Sequence, residues 1–487
     1  MIYINLAGEY RVEAYELIRL FIPENEFVFC DSEDISEKDP VLSCIVKENG
    51  GKSRITVGLC RNRLSLYNKT MEIDANDDEL PKTLKIPVKK LIYEALSEYT
   101  GKKLPWGILT GIRPVKIVHS LMDKGFYVDE IRDTLRNYYK ISEEKVDLLI
   151  EVAQNNRRYL ERGKNHISIY IGIPFCRSRC LYCSFFSVSS DRYGFLVQDY
   201  LNALKKETDW VSKLIKDQGL IIDTVYIGGG TPTAISDDDF KRLLYDVVPC
   251  LSLSNLQEYT VEAGRPDTIS REKLKAMKDA GVSRISINPQ TMNDETLVLI
   301  GRNHTASEVE QAFYMAREEN FNNINMDLIA GLPGETTGDF RYTMDRIRVF
   351  DPESITVHTM AVKRASRLNE HRQEFDRTGD DEVLEMIETA MSITRDMVMK
   401  PYYLYRQKNI LANLENAGYA KPGYEGIYNI LMMEDVQSII ALGAGAVTKI
   451  LYPGNRIERI FNVKNVEQYI QRTDEMIERK EKIKNSQ

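Results

Sequence analysis

Three cysteines, Cys176, Cys180 and Cys183, form a C-x3-C-x2-C loop directly after the β-like run ISIYIGI at 167–173. Three thiolates in one short loop can hold an iron–sulfur cluster, one fewer than the four ligands that cap every iron of a four-iron cluster. The fourth iron then keeps an open position, as the metal does in catalytic rather than structural sites. A cluster with a vacant iron can bind and reduce a ligand, so the loop predicts an enzyme.

A zinc knuckle is the alternative interpretation of these cysteines. Zinc requires a fourth Cys or His at short spacing, and the nearest candidates, His166 and Cys250, do not fit that pattern. The spacing, together with the position of the loop after a predicted strand, favours the iron–sulfur cluster.

Length, apolar runs, cysteine content and net charge together indicate the class of protein. At 487 residues the chain is long enough for two to four domains. No apolar run reaches the roughly 18 residues that span a bilayer, and the N-terminus lacks a signal-peptide pattern. The seven cysteines form no disulfide framework, so we expect a reducing cytoplasm. The net charge of −8 argues against nucleic acid as the main partner.

Apolar periodicity predicts the elements that position the cysteines. Residues 1–84 alternate short β-like runs with polar turns around one helical segment, which predicts a small α+β domain. Residues 85–163 have a helical pattern, interrupted by a Gly/Pro-rich loop at 104–114. In 164–370, six β-like runs alternate with amphipathic helices, and 371–487 is predicted to be a helix-rich domain. The fold class is therefore α/β, a partial (β/α)6 barrel with an N-terminal α+β and helical extension.

In such barrels the chemistry lies at the carboxyl ends of the strands. The cysteine loop, the glycine turn at 228–230, Glu262, Gln290 and Asp327 all fall there. Glycines let the backbone approach a ligand where a Cβ would collide, although a plain tight turn is the alternative. A carboxylate such as Asp327 in an apolar strand is costly to bury unpaired, which favours a functional role.

Several motifs carry a resemblance to a known family. The segment YIGIPFC at 170–176, with the two later cysteines and GGGTPT at 228–233, resembles radical S-adenosylmethionine (SAM) enzymes of the oxygen-independent coproporphyrinogen III oxidase group. The resemblance runs from about 167 to 448. LTGIRP at 109–114 and YRQKN at 405–409 resemble, more narrowly, the HemZ branch, coproporphyrinogen dehydrogenase.

The resemblance implies a [4Fe–4S] cluster and SAM as cofactors, with Cys176, Cys180 and Cys183 as the metal ligands. In the family, SAM chelates the open iron and one electron splits it into methionine and a 5′-deoxyadenosyl radical. The implied reaction is oxidative decarboxylation of two propionates of coproporphyrinogen III to vinyl groups, which gives protoporphyrinogen IX. The implied partners are a small-molecule porphyrinogen substrate and an electron donor such as flavodoxin or ferredoxin, with no membrane span.

The resemblance also implies contacts for individual residues. Tyr170 lies against the cluster-bound cofactor, Gly229, Gly230 and Thr231 offer backbone to its methionine end, and Glu262 suits its ribose hydroxyls or an ammonium group. A surface carboxylate is the alternative for Glu262, and core packing is the alternative for Ala361 and Val447. The expected catalytic residues are Tyr170, Gln290, Arg302 and Asp327. The expected cofactor contacts are Tyr170, Tyr182, Gly229, Gly230, Thr231, Glu262, Gln290, Arg302, Asp327, Ala361 and Val447.

A substrate with four carboxylates requires a basic pocket, in which Arg is favoured for bidentate pairing. His304, two residues after Arg302, is a further residue of interest on the active face. The candidates for the basic pocket, each of which is equally an ordinary surface base, are Arg113, Lys363, Arg364, Arg367, Arg406 and Lys408.

Two departures from the family keep other functions open. Phe185 stands where the oxidases have a further cysteine. YNILMM at 428–433 stands where the related haem chaperones have His-Asn-x-x-Tyr-Trp. The alternatives are a radical-SAM-like haem-binding chaperone, or a radical SAM enzyme of haem or porphyrin metabolism with another outcome.

Overall fold

A computed structural model describes residues 1–30, 39–49, 51–74, 80–111, 113–161, 163, 165–363, 365–370 and 378–485. The chain divides into two compact units, residues 1–150 and 151–487. The finer division into domains 1–84, 85–163, 164–370 and 371–487 stays a prediction.

The first unit contains a five-stranded sheet and helices that cover it. Its elements are β1 (Ile2–Leu6), α1 (Gly8–Phe21), β2 (Phe27–Cys30), β3 (Val41–Asn49), β4 (Lys52–Arg61), β5 (Leu64–Asp74), α2 (Leu80–Thr100), α3 (Val115–Asp123), α4 (Val128–Asp133) and α5 (Glu143–Asn156), the last of which crosses into the second unit. The strand order is β2-β1-β3-β4-β5, parallel around β1 and antiparallel from β3 to β5.

The four β-like runs predicted in this region are β1 to β4. The sequence analysis did not predict β5, which is an edge strand whose side chains are mostly exposed, including Leu64 and Leu66. One face of β5 packs on the core through Tyr67, Met71 and Ile73, but polar residues at 68–70 interrupt its apolar pattern.

The second unit contains the remaining elements. Its strands are β6 (His166–Ile173), β7 (Phe175–Cys176), β8 (Val188–Ser189), β9 (Ile221–Gly229), β10 (Glu258–Gly264), β11 (Arg284–Ile287), β12 (Ile324–Ala330), β13 (Ser354–Thr359), β14 (Lys400–Tyr405), β15 (Asn416–Ala420), β16 (Ser438–Leu442), β17 (Val447–Tyr452) and β18 (Arg456–Phe461). Its helices are α6 (Ser190–Tyr193), α7 (Val197–Asp217), α8 (Asp237–Arg242), α9 (Arg271–Asp279), α10 (Asp294–Leu299), α11 (Ala306–Glu318), α12 (Thr337–Phe350), α13 (Arg367–Glu370), α14 (Asp380–Asp396), α15 (Ile427–Glu434), α16 (Val466–Gln471) and α17 (Thr473–Arg479).

Eleven of these strands form one sheet, in the order β14-β15-β13-β12-β11-β10-β9-β6-β16-β17-β18. The six predicted strands, β6 and β9 to β13, are neighbours in chain order, and each pairs in parallel with the next. Helices connect them, as parallel strands require. This arrangement confirms the predicted α/β fold class of a partial (β/α)6 radical SAM barrel.

The stretch from 371 onward was predicted to be rich in helices; it carries α14 to α17 and also five strands that the sequence analysis did not predict. β16 pairs in parallel with β6, while β15, β14, β17 and β18 add antiparallel edges. Pro401 lies in β14, the outermost strand on one side, where a missing N–H costs no ladder hydrogen bond.

The core of the second unit lies on both sides of the parallel strands. In β6, Ile169, Ile171 and Ile173 of one face and Ser168 of the opposite face are buried, as is typical of a parallel strand covered on both faces. The amphipathic helix α7 packs its apolar face into the same core. Among the described residues, every helix is too short or too polar to cross a bilayer.

Candidate active site

The loop that carries the three cysteines (residues 174–183, the cysteine loop) begins at the carboxyl end of β6. Cys176 ends β7, which pairs in parallel with β8. The Cys183 N–H donates a hydrogen bond to the Cys180 carbonyl at 3.1 Å, which closes a tight turn. Cys180 is buried, and Cys176 and Cys183 are half-buried. One short, hydrogen-bonded segment therefore presents all three thiols.

Hydrogen bonds tie the cysteine loop to two neighbouring segments. The Leu181 N–H donates to the Ile300 carbonyl at 2.9 Å, and the Leu368 N–H donates to the Leu181 carbonyl at 2.9 Å. Ser178 Oγ donates to the Gly301 carbonyl at 2.9 Å. These bonds fix the loop backbone without any help from a bound ligand.

The donor set of the cysteine loop fits an iron–sulfur cluster. It consists of three thiols on one short segment, and in a four-iron cluster each thiolate ligates a different iron. In the described part of the chain, no three His, Cys, Asp or Glu side chains form a group that could hold a single metal ion.

The glycine turn at 228–230 packs directly against the chain that leads into the cysteine loop. A Cβ at Gly229, which has φ +116°, would lie 3.0 Å from the Ile173 nitrogen, and one at Gly230 would lie 2.5 Å from the Phe175 carbonyl oxygen. Neither position has room for a side chain. The glycines therefore allow a close approach to the protein's own backbone, whereas the predicted approach of this turn to a ligand stays a prediction.

The amides of this turn are already bonded within the protein. Gly230 N–H donates to the Ile173 carbonyl at 2.8 Å, and Thr231 N–H donates to the Phe175 carbonyl at 2.7 Å. Thr231 Oγ1 lies 3.2 Å from Cys176 Sγ. Since the amides are engaged, the backbone groups that the turn can offer a ligand are carbonyl oxygens, which suit an ammonium group.

Three tyrosine rings stack beside the turn. The Tyr170 ring lies 6.2 Å from that of Tyr226, which lies 4.5 Å from that of Tyr428, with interplanar angles of 16° and 24°. Tyr226 and Tyr428 were not predicted as site residues. Tyr226 is the register partner of Tyr170, and both precede Ile-Gly in their strands, a repeat that would have identified Tyr226.

Glu262 is a half-buried carboxyl group in contact with this stack. It accepts a hydrogen bond from the Tyr226 hydroxyl at 2.6 Å. Burial, with a smaller contribution from the nearby Asp327, raises the pKa of Glu262 to about 7 against the lowering effect of the Tyr226 hydrogen bond. The partial burial and the hydrogen bond argue against the interpretation of Glu262 as a solvated surface carboxylate.

Asp327 lies in the middle of β12 rather than at its end, where the sequence analysis put it. Burial would raise its pKa, but His358 and Asn325 outweigh burial and hold the pKa below its usual value. Asn325 Nδ2 donates to Asp327 Oδ1 at 2.6 Å, and His358 Nε2 is 3.9 Å from Oδ2. The Tyr405 hydroxyl lies 3.3 Å from His358 Nδ1. Neither His358 nor Tyr405 was predicted, although a histidine inside the apolar run SITVHTM was a signal.

Gln290 connects this strand to the cysteine side of the site. Its N–H donates to the Asp327 carbonyl at 3.0 Å, and its carbonyl accepts from the Ile329 N–H at 3.0 Å. Gln290 has φ +70°, a conformation that L side chains rarely adopt and that marks functional sites. Its Oε1 is buried without a hydrogen-bond partner among the described residues. A buried acceptor of this kind fits a missing donor from a ligand.

Arg302 lies beside the cysteines, with its Nε buried and unpartnered among the described residues. Burial opposes its charge, but Tyr182 and Cys180 outweigh burial and raise the pKa of Arg302. Burial also raises the pKa of Tyr182, with a further contribution from Cys180. His304 is buried nearby, and burial together with Arg302 lowers its pKa to about 3, so it is neutral at physiological pH.

The other predicted residues lie at the edges of the site. Ala361 follows β13 and is buried in a bridge with Ile410, and Val447 is 37% exposed at the start of β17. The expected contacts of these two residues with the cofactor stay predictions.

The arginines and lysines predicted to line a basic substrate pocket differ in burial and in position along the chain. Arg406 is buried and donates to the Asn413 carbonyl at 2.9 Å, so it points into the protein. Lys363 is half-buried beside the cysteine loop, and burial lowers its pKa. Arg367 and Lys408 are exposed. Arg113 lies in the first unit, and Arg364 lies outside the described residues.

Comparisons with known proteins agree with this geometry. The Radical SAM superfamily model matches residues 170–347. The chain is 40% identical over 426 residues to the oxygen-independent coproporphyrinogen-III oxidase-like protein HemZ of Bacillus subtilis (strain 168), covering 86% of this chain and 85% of that protein. It is 34% identical over 284 residues to the heme chaperone HemW of the same organism, covering 57% and 70%.

A solved structure shares the fold. Coproporphyrinogen III oxidase (HemN) from Escherichia coli, described as a radical SAM enzyme, matches with a TM-score of 0.51 and 21% identity, over 69% of this chain and 74% of that one. Radical SAM proteins carry a [4Fe–4S] cluster and SAM, and the cysteine loop, the glycine turn and the unpartnered Gln290 fit those groups. The chain therefore belongs to the family of oxygen-independent coproporphyrinogen-III oxidase-like radical SAM proteins represented by HemZ.

Proposed function

We propose that this protein catalyses the oxygen-independent oxidative decarboxylation of two propionates of coproporphyrinogen III to vinyl groups. The observation that carries the proposal is the cysteine loop, whose three thiols lie on one short segment that packs against the glycine turn. The similarity to a protein named as coproporphyrinogen-III oxidase-like supports the choice of substrate.

The cysteine loop holds the cluster in this proposal. Cys176, Cys180 and Cys183 would hold the cluster, and three thiolates would leave one of its four irons for SAM. When bound, the cluster and SAM together supply the 5′-deoxyadenosyl radical that starts the reaction. The unpaired cysteines and the absence of a spanning helix among the described residues are compatible with a cytoplasmic setting.

The residues around the loop position SAM. The carbonyl oxygens of the glycine turn accept from its ammonium group, and the Arg302 guanidinium pairs with its carboxylate. Glu262 and Gln290 accept from its ribose hydroxyls and amines. Asp327 and Tyr170 complete the pocket, so that the reacting carbon is held in one orientation.

In the chemical step, each propionate loses one hydrogen atom, its carboxyl group and one electron. Loss of one hydrogen atom from the propionate β-carbon leaves a carbon radical, and cleavage of the adjacent bond to the carboxylate releases carbon dioxide. The pair of carbons left behind forms the vinyl double bond once one electron leaves. Each propionate therefore yields one vinyl group, one carbon dioxide, one hydrogen atom on 5′-deoxyadenosine and one electron for an acceptor.

Anaerobic turnover tests the proposal. Protein reconstituted with iron and sulfide, a reductant, SAM and an electron acceptor is incubated with coproporphyrinogen III, and the products are read by mass spectrometry. We expect loss of two carboxyl equivalents and formation of 5′-deoxyadenosine. Cleavage of SAM with no change in the porphyrinogen would refute the assigned substrate.

The similarity to heme chaperone HemW favours haem carriage as a second candidate. The Tyr428 ring, at the start of the stretch that replaces the chaperone motif, is buried against Tyr226, and burial raises the pKa of its phenol well above the usual value. It is therefore poorly placed to bind haem iron as a phenolate. Tight haem binding without turnover would support the chaperone.

A further inference from the structure

Arg265 is a buried arginine to which the proposed function gives no role. It directly follows β10 and is 1% exposed. Burying a guanidinium costs free energy unless the group is paired and hydrogen-bonded. The partners of Arg265 therefore indicate what its buried charge stabilises.

Asp267, two residues further along the chain, pairs with Arg265 in bidentate geometry. Arg265 Nε donates to Asp267 Oδ1 at 3.0 Å and Nη2 donates to Oδ2 at 3.3 Å, and the Asp267 side chain is 6% exposed. Thr268 Oγ1 donates to the Arg265 carbonyl at 2.8 Å and lies 2.6 Å from Thr233 Oγ1. The turn that carries the pair is thus anchored to the segment that follows the glycine turn.

The third guanidinium nitrogen of Arg265 reaches the cysteine loop. Nη1 donates to Ser178 Oγ at 2.7 Å and to the Ser178 carbonyl at 3.2 Å. Arg177 Nη1 donates to the Asp267 carbonyl at 2.9 Å and lies 3.7 Å from Asp267 Oδ2. The Arg265–Asp267 pair therefore contacts two of the three residues that separate the first two cysteines.

The same contacts place positive charge beside a thiol. The Ser178 carbonyl that accepts from Arg265 also accepts from Cys176 Sγ at 3.2 Å. Two guanidinium groups, of Arg177 and Arg265, face the single carboxylate of Asp267, so these three side chains together carry one net positive charge. A Cys176 thiolate could no longer donate to the Ser178 carbonyl, whereas Arg265 could.

We propose that Arg265 is a positioning residue for the cluster, which holds the segment between Cys176 and Cys180 through Ser178 and favours reduction of the cluster through its charge. This inference rests on the proposed function only in requiring a cluster on the loop. Residues that orient metal ligands commonly change metal affinity by about 10–100-fold. Nearby charge and hydrogen bonds set the reduction potential of an iron–sulfur cluster.

Four variants of the anaerobically reconstituted protein test this role. Arg265→Met removes the charge and the hydrogen bonds, whereas Arg265→Lys keeps the charge but cannot bond in the bidentate manner. Ser178→Ala leaves the buried pair intact and removes only the hydroxyl contact. Arg317→Met is the matched control, because Arg317 forms a bidentate pair with Glu353, with distances of 3.0 and 2.9 Å, at the amino end of β13.

Three properties are measured for each variant: the urea midpoint, the rate at which a chelator removes iron, and the midpoint potential of the cluster in an optical redox titration. We expect Arg265→Met to lose iron at least about tenfold faster than the wild type and to have a more negative potential. Arg265→Lys and Ser178→Ala should also lose iron faster but keep a potential close to that of the wild type. Arg317→Met should lower the urea midpoint and leave iron loss and potential unchanged.

Wild-type rates of iron loss in Arg265→Met and Ser178→Ala would overturn the proposal. If Arg265→Met does not fold, the rate for Ser178→Ala decides. Equally fast iron loss in Arg317→Met would also overturn it, since Arg265 would then act only through the stability of the fold. An unchanged potential in Arg265→Met would refute the effect of its charge.

Turnover of coproporphyrinogen III separates this inference from the proposed function. A wild type that converts the porphyrinogen, with variants of Arg265 that retain iron as the wild type does, would contradict the positioning role alone. Fast iron loss from those variants, with a wild type that leaves the porphyrinogen unchanged, would contradict the proposed function alone.

Discussion

At the scale of single residues, the site contains two kinds of groups: thiols on a hydrogen-bonded loop and polar side chains that could bind a ligand. Cys176, Cys180 and Cys183 are held by backbone hydrogen bonds, whereas the Gln290 side-chain oxygen is buried without a partner among the described residues. An unmade hydrogen bond of this kind costs free energy that a bound ligand recovers.

Replacing one thiol should remove the cluster. In Cys176→Ser, a weak oxygen ligand replaces a thiolate, so we expect the iron content after anaerobic reconstitution to fall severalfold. Cys60→Ser is the control, because Cys60 is an exposed cysteine on β4 of the first unit and is not part of the cysteine loop. Equal iron content in the two variants would show that the loop does not hold the cluster.

The half-buried Glu262 should make stability depend on pH. Its pKa rises from 4.5 to about 7 in the folded protein, so the unfolded chain releases this proton first as the pH rises. The stability contributed by the protonated form is complete below pH 4.5 and lost by about pH 7, a difference of about 3 kcal/mol. Relative to Glu262→Gln, the unfolding free energy of the wild type should therefore fall over this range. A constant difference between the two proteins, measured by urea unfolding at several pH values, would contradict the assignment.

Site residues that belong to short motifs could be predicted from the sequence. Site residues that only tertiary packing brings near the motifs were not predicted. The cysteines and the glycine turn were recognisable from their spacing. Tyr428 reaches the site because α15 packs beside it, and no local sequence pattern predicts such a contact. His358 differs, because it lies inside a predicted strand and could have been identified from the sequence.

At the scale of elements, the glycine turn and the cysteine loop pack directly against each other. Two hydrogen bonds join Gly230 and Thr231 to the chain at Ile173 and Phe175, and the turn approaches too closely for any side chain. The carboxyl ends of β6 and β9 are thereby fixed to each other.

Gly230→Ala should weaken the packing of the glycine turn against the cysteine loop. Its Cβ would lie 2.5 Å from the Phe175 carbonyl oxygen, so we expect a loss of about 1–3 kcal/mol in unfolding free energy and poorer cluster incorporation. Gly194→Ala is the control, since a Cβ there meets nothing within 4 Å. Urea unfolding and iron analysis of both variants test this, and equal stability would refute the close contact.

Strands were predictable where their apolar runs are continuous and buried. All six barrel strands are of this kind, whereas β14 and β15 occupy a Tyr/Gly-rich stretch and β16 precedes a run of small residues. Their strand character depends on pairing with β13 and β6, which lie far away in the sequence. Local apolar periodicity does not predict pairing with strands that are distant in the sequence.

At the scale of the whole molecule, the last helices are integrated into the second unit through a buried ion pair. Lys480 and Glu207 are fully buried with Nζ and Oε1 2.6 Å apart. Glu207 also accepts from the Tyr469 hydroxyl at 2.6 Å and the Gly443 N–H at 2.8 Å. This network joins α7, the end of the chain and the turn after β16, beside the active edge of the sheet.

Breaking this pair should destabilise the second unit. Lys480→Met leaves the Glu207 carboxylate buried without its cation, which should cost about 3–5 kcal/mol. Lys482→Met removes a lysine from an exposed pair with Glu458 and should change stability by about 1 kcal/mol or less. Similar urea midpoints for the two variants would show that the buried pair does not hold the C-terminal helices.

The central claim is that three cysteines hold a four-iron cluster whose fourth iron is open to SAM. Electron paramagnetic resonance of the anaerobically reconstituted, reduced protein, recorded before and after addition of SAM, tests it most directly. We predict a [4Fe–4S]⁺ signal whose g-values shift when SAM is added, because the cofactor binds an iron that lacks a protein ligand. A signal that SAM leaves unchanged, or a protein that takes up zinc in place of iron, would contradict the account.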